Sequence, residues 1–325
     1  MTLLTFGSVD DYLGPADERF FGAGYRRSEL DLSDVEVGPD TAEGTLAVGY
    51  PSDWSRKKVG IDLRPHLSTV DGLLVAVQLT DALLTNRLGL SQAGRAAVEL
   101  TKIVVQAGTE PDEDLGALPV RAAVRRSTTD DDGRSSTVVD VSVGRMRLRC
   151  HVAHPAAAPG ADAGSRTVLD VLGDPARRFW GEGYRASRQA IRDVVVDVAR
   201  LHATADLTTA TLPATVDEGL GGRPDPVTVV DAFVSSLQVF QILLYELDGL
   251  SRAESNTLWM QQTTLTLDPE RRDARDLTVD ITASELIELA NGTWRNLTFD
   301  AVTGPVRQRS VFAHHLPVGA AALSR

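Results

Sequence analysis

The feature that most limits what this chain can fold into is that it repeats itself. Asp11 to Val37 (DYLGPADERFFGAGYRRSELDLSDVEV) and Asp170 to Val196 (DVLGDPARRFWGEGYRASRQAIRDVVV) align without a gap at an offset of 159, and thirteen of 27 positions are identical. Ordinary residue frequencies would give about two. The match includes Arg19/Arg178, Phe20/Phe179, Gly22/Gly181, Gly24/Gly183, Tyr25/Tyr184 and Arg26/Arg185. It resumes at an offset of 160, pairing Asp71 with Asp231, Gln78 with Gln238 and Gly89 with Gly249, and closes on Ala153-His154 against Ala313-His314. Self-similarity over such a length means two diverged copies of one structural unit. The 325 residues then divide into a first unit (1–154), a linker rich in Pro, Gly and Ala (155–168) and a second unit (169–325).

Each copy carries the same order of elements. Thr45–Pro51 and Leu207–Pro213 are short runs bounded by turn residues and predict strands. Ser68–Arg87 and Thr228–Leu247 are apolar nearly all round, as helices buried on most of their surface are. Alternating polar and apolar runs follow in both copies and predict antiparallel strands with one solvated face. Strand, long buried helix and three or more antiparallel strands is the order of a hotdog unit. The expected fold is therefore α+β: a tandem (double) hotdog, two curved antiparallel sheets each wrapping a long central helix and joined side by side.

Composition narrows the function. A formal charge of −12 opposes binding to a phosphate backbone, so no nucleic-acid partner is expected. No run of about 18 uninterrupted apolar residues offers a membrane span. The opening MTLLTFGSVDDYLG lacks a basic segment followed by a long apolar one, so no secretory signal is visible and a cytoplasmic location is expected. The single cysteine, Cys150, sits in a strand-like run and reads as a small buried hydrophobe. His151, His154, His314 and His315 lack acid or thiol partners at ligand spacing, so neither metal nor cofactor is expected.

The copies differ most at the start of the long helix, where the first reads Arg64-Pro65-His66-Leu67-Ser68-Thr69-Val70-Asp71 and the second has proline in place of the histidine. An imidazole titrating near neutrality beside a helix N-terminus suits general-base chemistry on an acyl group, so His66 and Asp71 are the candidate catalytic pair. Arg64, Ser68 and Thr69 would line the same site. Ser68/Asp71 and Thr228/Asp231 also have capping-box spacing, and for Asp231 capping is the stronger reading beside a ligand contact. Gln78 and Gln238 are amides on apolar helices, which must bind either the facing structure or a substrate. Asp53 and Trp54, in a Tyr-Pro-Ser-Asp-Trp-Ser loop peculiar to the first copy, are a further candidate contact or a surface turn. The duplicated Gly-x-Gly-Tyr-Arg element lacks the third glycine and the βαβ setting of a dinucleotide site and reads as fold-defining.

RFFGAGYRRSELDLSDVEV, YPSDWS and RPHLSTVDGLL together resemble the avirulence D (AvrD) family of bacterial proteins, over nearly the whole chain. More distantly the chain resembles the double-hotdog A-factor synthases. The resemblance implies an enzyme of syringolide-type elicitor biosynthesis, an acyltransferase or condensing enzyme joining a 3-oxoacyl thioester to a xylulose-like ketose to give a lactone or butenolide precursor. Its partners would be a thioester of acyl carrier protein or coenzyme A and a ketose or ketose phosphate, and a homodimer is compatible with it. A hotdog dehydratase or thioesterase, or a non-catalytic binder of acyl ligands, fits the same residues.

Overall fold

The computed structural model describes residues 3–53, 64–156, 164–222, 226–255, 258–271 and 274–317. Two 20-residue helices dominate it, α2 (Thr69–Leu88) and α5 (Val229–Asp248), at the two expected positions. Ser68 and Thr228 cap them through their side-chain oxygens, and Gly89 (φ 58°) and Gly249 (φ 64°) end them in the left-handed conformation that favours glycine. Both helices are buried along almost their whole length. By length and composition α5 could cross a membrane, but 89% of its most apolar window is buried inside the fold.

The first half supplies β1 (Leu3–Ser8), α1 (Val9–Leu13), β2 (Glu29–Asp31), β3 (Glu36–Val37), β4 (Thr41–Gly49), α2, α3 (Gln92–Ala96), β5 (Glu99–Gln106), β6 (Leu118–Thr129), β7 (Arg134–Val143) and β8 (Met146–Pro155). The second supplies β9 (Arg166–Thr167), α4 (Val168–Leu172), β10 (Gln189–Asp197), β11 (His202–Thr209), α5, β12 (Leu258–Leu267), β13 (Asp276–Leu289), β14 (Gly292–Thr303) and β15 (Val306–His315). The expected strands at 45–51 and 207–213 end early, at Gly49 and Thr209, before the prolines that cannot donate to a ladder.

Among the described residues the strands form one large antiparallel sheet, ordered β1-β10-β11-β13-β14-β15-β12-β5-β8-β7-β6-β4-β3-β9. The halves join where β12 pairs antiparallel with β5, Thr264 opposite Val104. Helix α2 packs on β4, β6, β7 and β8, and α5 on β10, β11, β13, β14 and β15. Phe240 of α5 stacks on Phe299 of β14 with ring centroids 4.2 Å apart. Truncating it to alanine would cost about 3–5 kcal/mol.

The opening of each half docks on the other. Strand β1 pairs with β10, and its counterpart β9 pairs with β3. Likewise α1 packs on α5 and α4 on α2. Arg166 and Thr167, inside the expected linker, are thus part of the sheet. The duplicated glycines have a local reason: a Cβ on Gly22 would meet the Ala16 carbonyl oxygen at 2.4 Å, and one on Gly181 the Pro175 oxygen at 2.3 Å.

Candidate functional site

At the start of α5, Thr228 and Asp231 form a full capping box. Asp231 Oδ2 accepts from the Thr228 amide (2.9 Å) and hydroxyl (2.7 Å), while Oδ1 accepts from Ser187 Oγ (2.7 Å) and from Gln189 Nε2. Gln189 also donates to the Tyr25 hydroxyl (3.0 Å) and accepts from Arg26 Nη2 (2.6 Å). Four donors therefore hold this carboxylate in one orientation. Tyr25 and Arg26 come from the first half, so the exchange of openings completes the site. Burial pushes the Tyr25 phenol above its ordinary range.

This carboxylate stands on the wall of a cavity of about 420 Å³, lined also by Phe179, Ser187, Leu212, Thr228 and Arg275. The first-turn amides of Val229 and Val230 have no intrahelical acceptor, which gives the helix start a positive end. A carboxylate, a cation and the capping residue of a helix start on one cavity suit a substrate with a polarised carbonyl.

At the start of α2 the matched positions are arranged differently. Asp71 Oδ2 accepts from Ser68 Oγ (2.5 Å) and from the Tyr50 hydroxyl, and Oδ1 has no hydrogen-bond partner. Ser28, the counterpart of Ser187, stands beside Asp71 and favours its charged form, yet its hydroxyl completes no hydrogen bond. The Ser68 amide, which would close the capping box, donates to Tyr50 Oη instead (3.2 Å). Burial raises the Asp71 carboxyl above the usual carboxylate range, against the hydrogen bonds from Ser68 and Tyr50. Tyr184 and Arg185 of the other half donate to the Ser28 carbonyl at 3.1 and 3.0 Å. Burial pushes the Tyr184 phenol up to about 12.

Asp71 and His66 share no direct hydrogen bond. Tyr50 and Ser68 occupy the carboxylate, and the half-buried His66 ring turns to the Arg64 carbonyl (Nδ1 to O, 3.2 Å). Arg64 is exposed, 3.6 Å from Glu113. Thr69 opens α2, and Gln78 is buried on it. Gln238 binds structure: it donates to the Phe21 (3.1 Å) and Val234 (2.9 Å) carbonyls and accepts from Arg19 Nη1 (2.5 Å). Asp53 pairs with Arg27 (Oδ2 to Nη1, 3.2 Å), and Trp54 lies outside the described residues.

His314 is structural. Its Nδ1 meets Asp248 Oδ2 (2.9 Å), its Nε2 meets Ser255 Oγ (3.0 Å), and Arg295 Nε binds Asp248 Oδ1 (2.6 Å), all of it buried. Burial raises the Cys150 thiol to about 12, as for an inert core cysteine. Among the described residues no cluster of three His, Cys, Asp or Glu side chains could hold a metal.

Sequence reasoning missed Ser187, Gln189 and Arg275, read Tyr25 as fold-defining and took Tyr50 only as part of the Tyr-Pro-Ser-Asp-Trp-Ser loop. The signal for Ser187 and Tyr25 was the duplicated Tyr-Arg-x-Ser (Tyr25-Arg26-Arg27-Ser28 and Tyr184-Arg185-Ala186-Ser187), whose polar side chains do more than shape a turn.

A sequence profile of the Pseudomonas avirulence D protein (AvrD) matches residues 4–317. The chain belongs to the AvrD family. The exchanged motifs and both helix starts of this AvrD-family chain lie within the match. No curated protein matches it. Among solved structures, a tesB protein of Mycobacterium avium subsp. paratuberculosis is 10% identical, with TM-score 0.40, over 89% of this chain and 96% of that one. An acyl-CoA thioesterase II, TesB2, of Mycobacterium marinum is 12% identical, with TM-score 0.38, over 91% and 98%. The dehydratase domain of PpsC from Mycobacterium tuberculosis, in complex with C12:1-CoA, is 13% identical, with TM-score 0.37, over 88% and 99%. All three are distant in shape as well as in sequence.

Proposed function

We propose that this AvrD-family chain is a tandem-hotdog enzyme that transfers a 3-oxoacyl group from a thioester to a ketose hydroxyl, and that the chemistry takes place in the cavity beside Asp231. The observation that carries the reading is the fixed, buried carboxylate at a helix N-terminus on the wall of a cavity of about 420 Å³. The first-turn amides of α5 polarise the thioester carbonyl. The ketose hydroxyl displaces one of the four donors of Asp231, which takes its proton as the hydroxyl oxygen bonds to the acyl carbon. The carbon–sulfur bond breaks, and the thiolate recovers that proton from Asp231. No covalent enzyme intermediate is required. Arg275 supplies a cation for a phosphate on the ketose or on the carrier arm. Two packed helices of equal length, each against the strands of its own half, support the tandem-hotdog assignment.

The test is product analysis by mass spectrometry after incubation of a 3-oxoacyl thioester with and without xylulose. Consumption of thioester only with the sugar, and a product carrying both parts, supports transfer. Free acid or an enoyl thioester formed without sugar makes the chain a thioesterase or a dehydratase, and an unchanged ligand makes it a binder.

A further inference from the structure

A second cavity, of about 160 Å³, lies at the seam between the halves. Leu100 of β5 comes from the first half, and Trp180, Leu220, Val229 and Leu267 come from the second. Thr228 lines both cavities. Phe179 lines the first and its neighbour Trp180 the second, with their rings edge to face at 4.9 Å between centroids. The partition between the two spaces is thus one hydroxyl-bearing helix cap and one aromatic pair.

The two cavities differ in chemistry. Arg275 lines the first. The charged lining residues of the second are Glu99 and Asp268, which pair with Arg134 and with Arg307 (3.4 Å). A lining with two carboxylates, no cation and mostly apolar side chains rejects a phosphate or a free fatty acid and suits a neutral alkyl chain.

We infer that the seam cavity takes the alkyl tail of the acyl thioester, with the thioester carbonyl at Thr228 and the polar groups in the Asp231 cavity, so that Trp180 and Ala96 set the acyl length. This rests on the proposed acyl-transfer reading and adds the specificity determinant to it. A tail buried there gains affinity with each methylene until it meets the far wall, about fourfold per CH₂.

The experiment is calorimetric titration of the full chain with saturated acyl-coenzyme A thioesters of increasing length, which requires no turnover. Ala96→Trp adds bulk at an exposed lining residue and leaves the core alone, and Trp180→Ala opens the wall. Wild type should show affinity rising about fourfold per methylene to a limit. The limit should move to shorter chains in Ala96→Trp and to longer ones in Trp180→Ala. Should Trp180→Ala fail to fold, Ala96→Trp alone carries the test. Binding with an unchanged length profile in Ala96→Trp overturns the seam assignment while leaving acyl-thioester recognition intact. Absence of binding to wild type at every length removes both.

Discussion

Tyr25 and Tyr184, matched positions of the two copies, stack on each other with ring centroids 6.5 Å apart and planes 20° apart. Each reaches from its own half into the other's helix start: Tyr25 to the Gln189 that holds Asp231, and Tyr184 to Ser28 beside Asp71. The two helix starts share one aromatic pair, but they carry unlike carboxylates.

That difference predicts opposite stability changes for one substitution. Asp231 uses both oxygens on four donors, so Asp231→Asn turns an amide towards donors and should cost about 1–3 kcal/mol. Asp71 has an orphan oxygen beside an orphan Ser28 hydroxyl, and an amide there gives Ser28 a donor. Asp71→Asn should be neutral or slightly stabilising near neutral pH. Urea unfolding of both variants checks this, and an equal loss in the two would contradict it.

The same carboxyl sets a pH dependence. Burial raises the folded-state pKa of Asp71 above its unfolded value. Its contribution to stability is therefore full when it is protonated and is lost as pH rises from the ordinary carboxylate range through the raised value. Asp71→Asn lacks this loss. Its melting temperature relative to wild type should climb as pH rises above the ordinary carboxylate range. A difference that stays flat, or that falls, would show that Asp71 is not held above its usual range.

On the proposed acyl-transfer reading, Gln189 positions Asp231. Gln189→Leu places at this site the residue that the first copy has at the matched position, Leu30, and removes the link from Tyr25 and Arg26 to Asp231. Turnover should fall about tenfold with KM nearly unchanged, since orientation and not binding is lost. Tyr25→Phe should act in the same direction more weakly. A rise in KM with kcat intact would place Gln189 in substrate binding instead.

Arg295, Asp248 and His314 form a buried hydrogen-bonded cluster that closes the end of α5 on β14 and β15. His314→Ala leaves Asp248 and Ser255 each short of a partner in a site without solvent. Asp248 keeps Arg295, so the loss is of buried hydrogen bonds and should cost about 1–3 kcal/mol. Thermal unfolding should show this, and a loss within the range of a surface substitution would contradict the buried assignment.

How far the sequence speaks follows from range. The long helices are legible because twenty apolar residues between a Ser or Thr cap and a glycine leave the chain few alternatives. The exchange of β1 and β9 is not, because two residues of β9 carry no local pattern and both pairings are long-range. His314 looked partnerless because Asp248 is 66 residues away in sequence. The histidine peculiar to the first copy drew attention to His66, whereas the neighbouring Tyr50 is the side chain that meets Asp71. Asp231 was legible as a cap, and its place on a cavity wall depends on Ser187, Gln189 and Tyr25, which only the folded chain brings together.

The most direct measurement is turnover of a 3-oxoacyl thioester with xylulose by Asp231→Asn beside Asp71→Asn and His66→Ala, each melting cooperatively. The account predicts that Asp231→Asn falls by about 10²–10⁴-fold, the range of general-base assistance, while Asp71→Asn and His66→Ala stay within about tenfold of wild type. A folded Asp231→Asn protein with wild-type turnover, or a collapse of activity in Asp71→Asn and His66→Ala alone, would contradict it and move the chemistry to the start of α2.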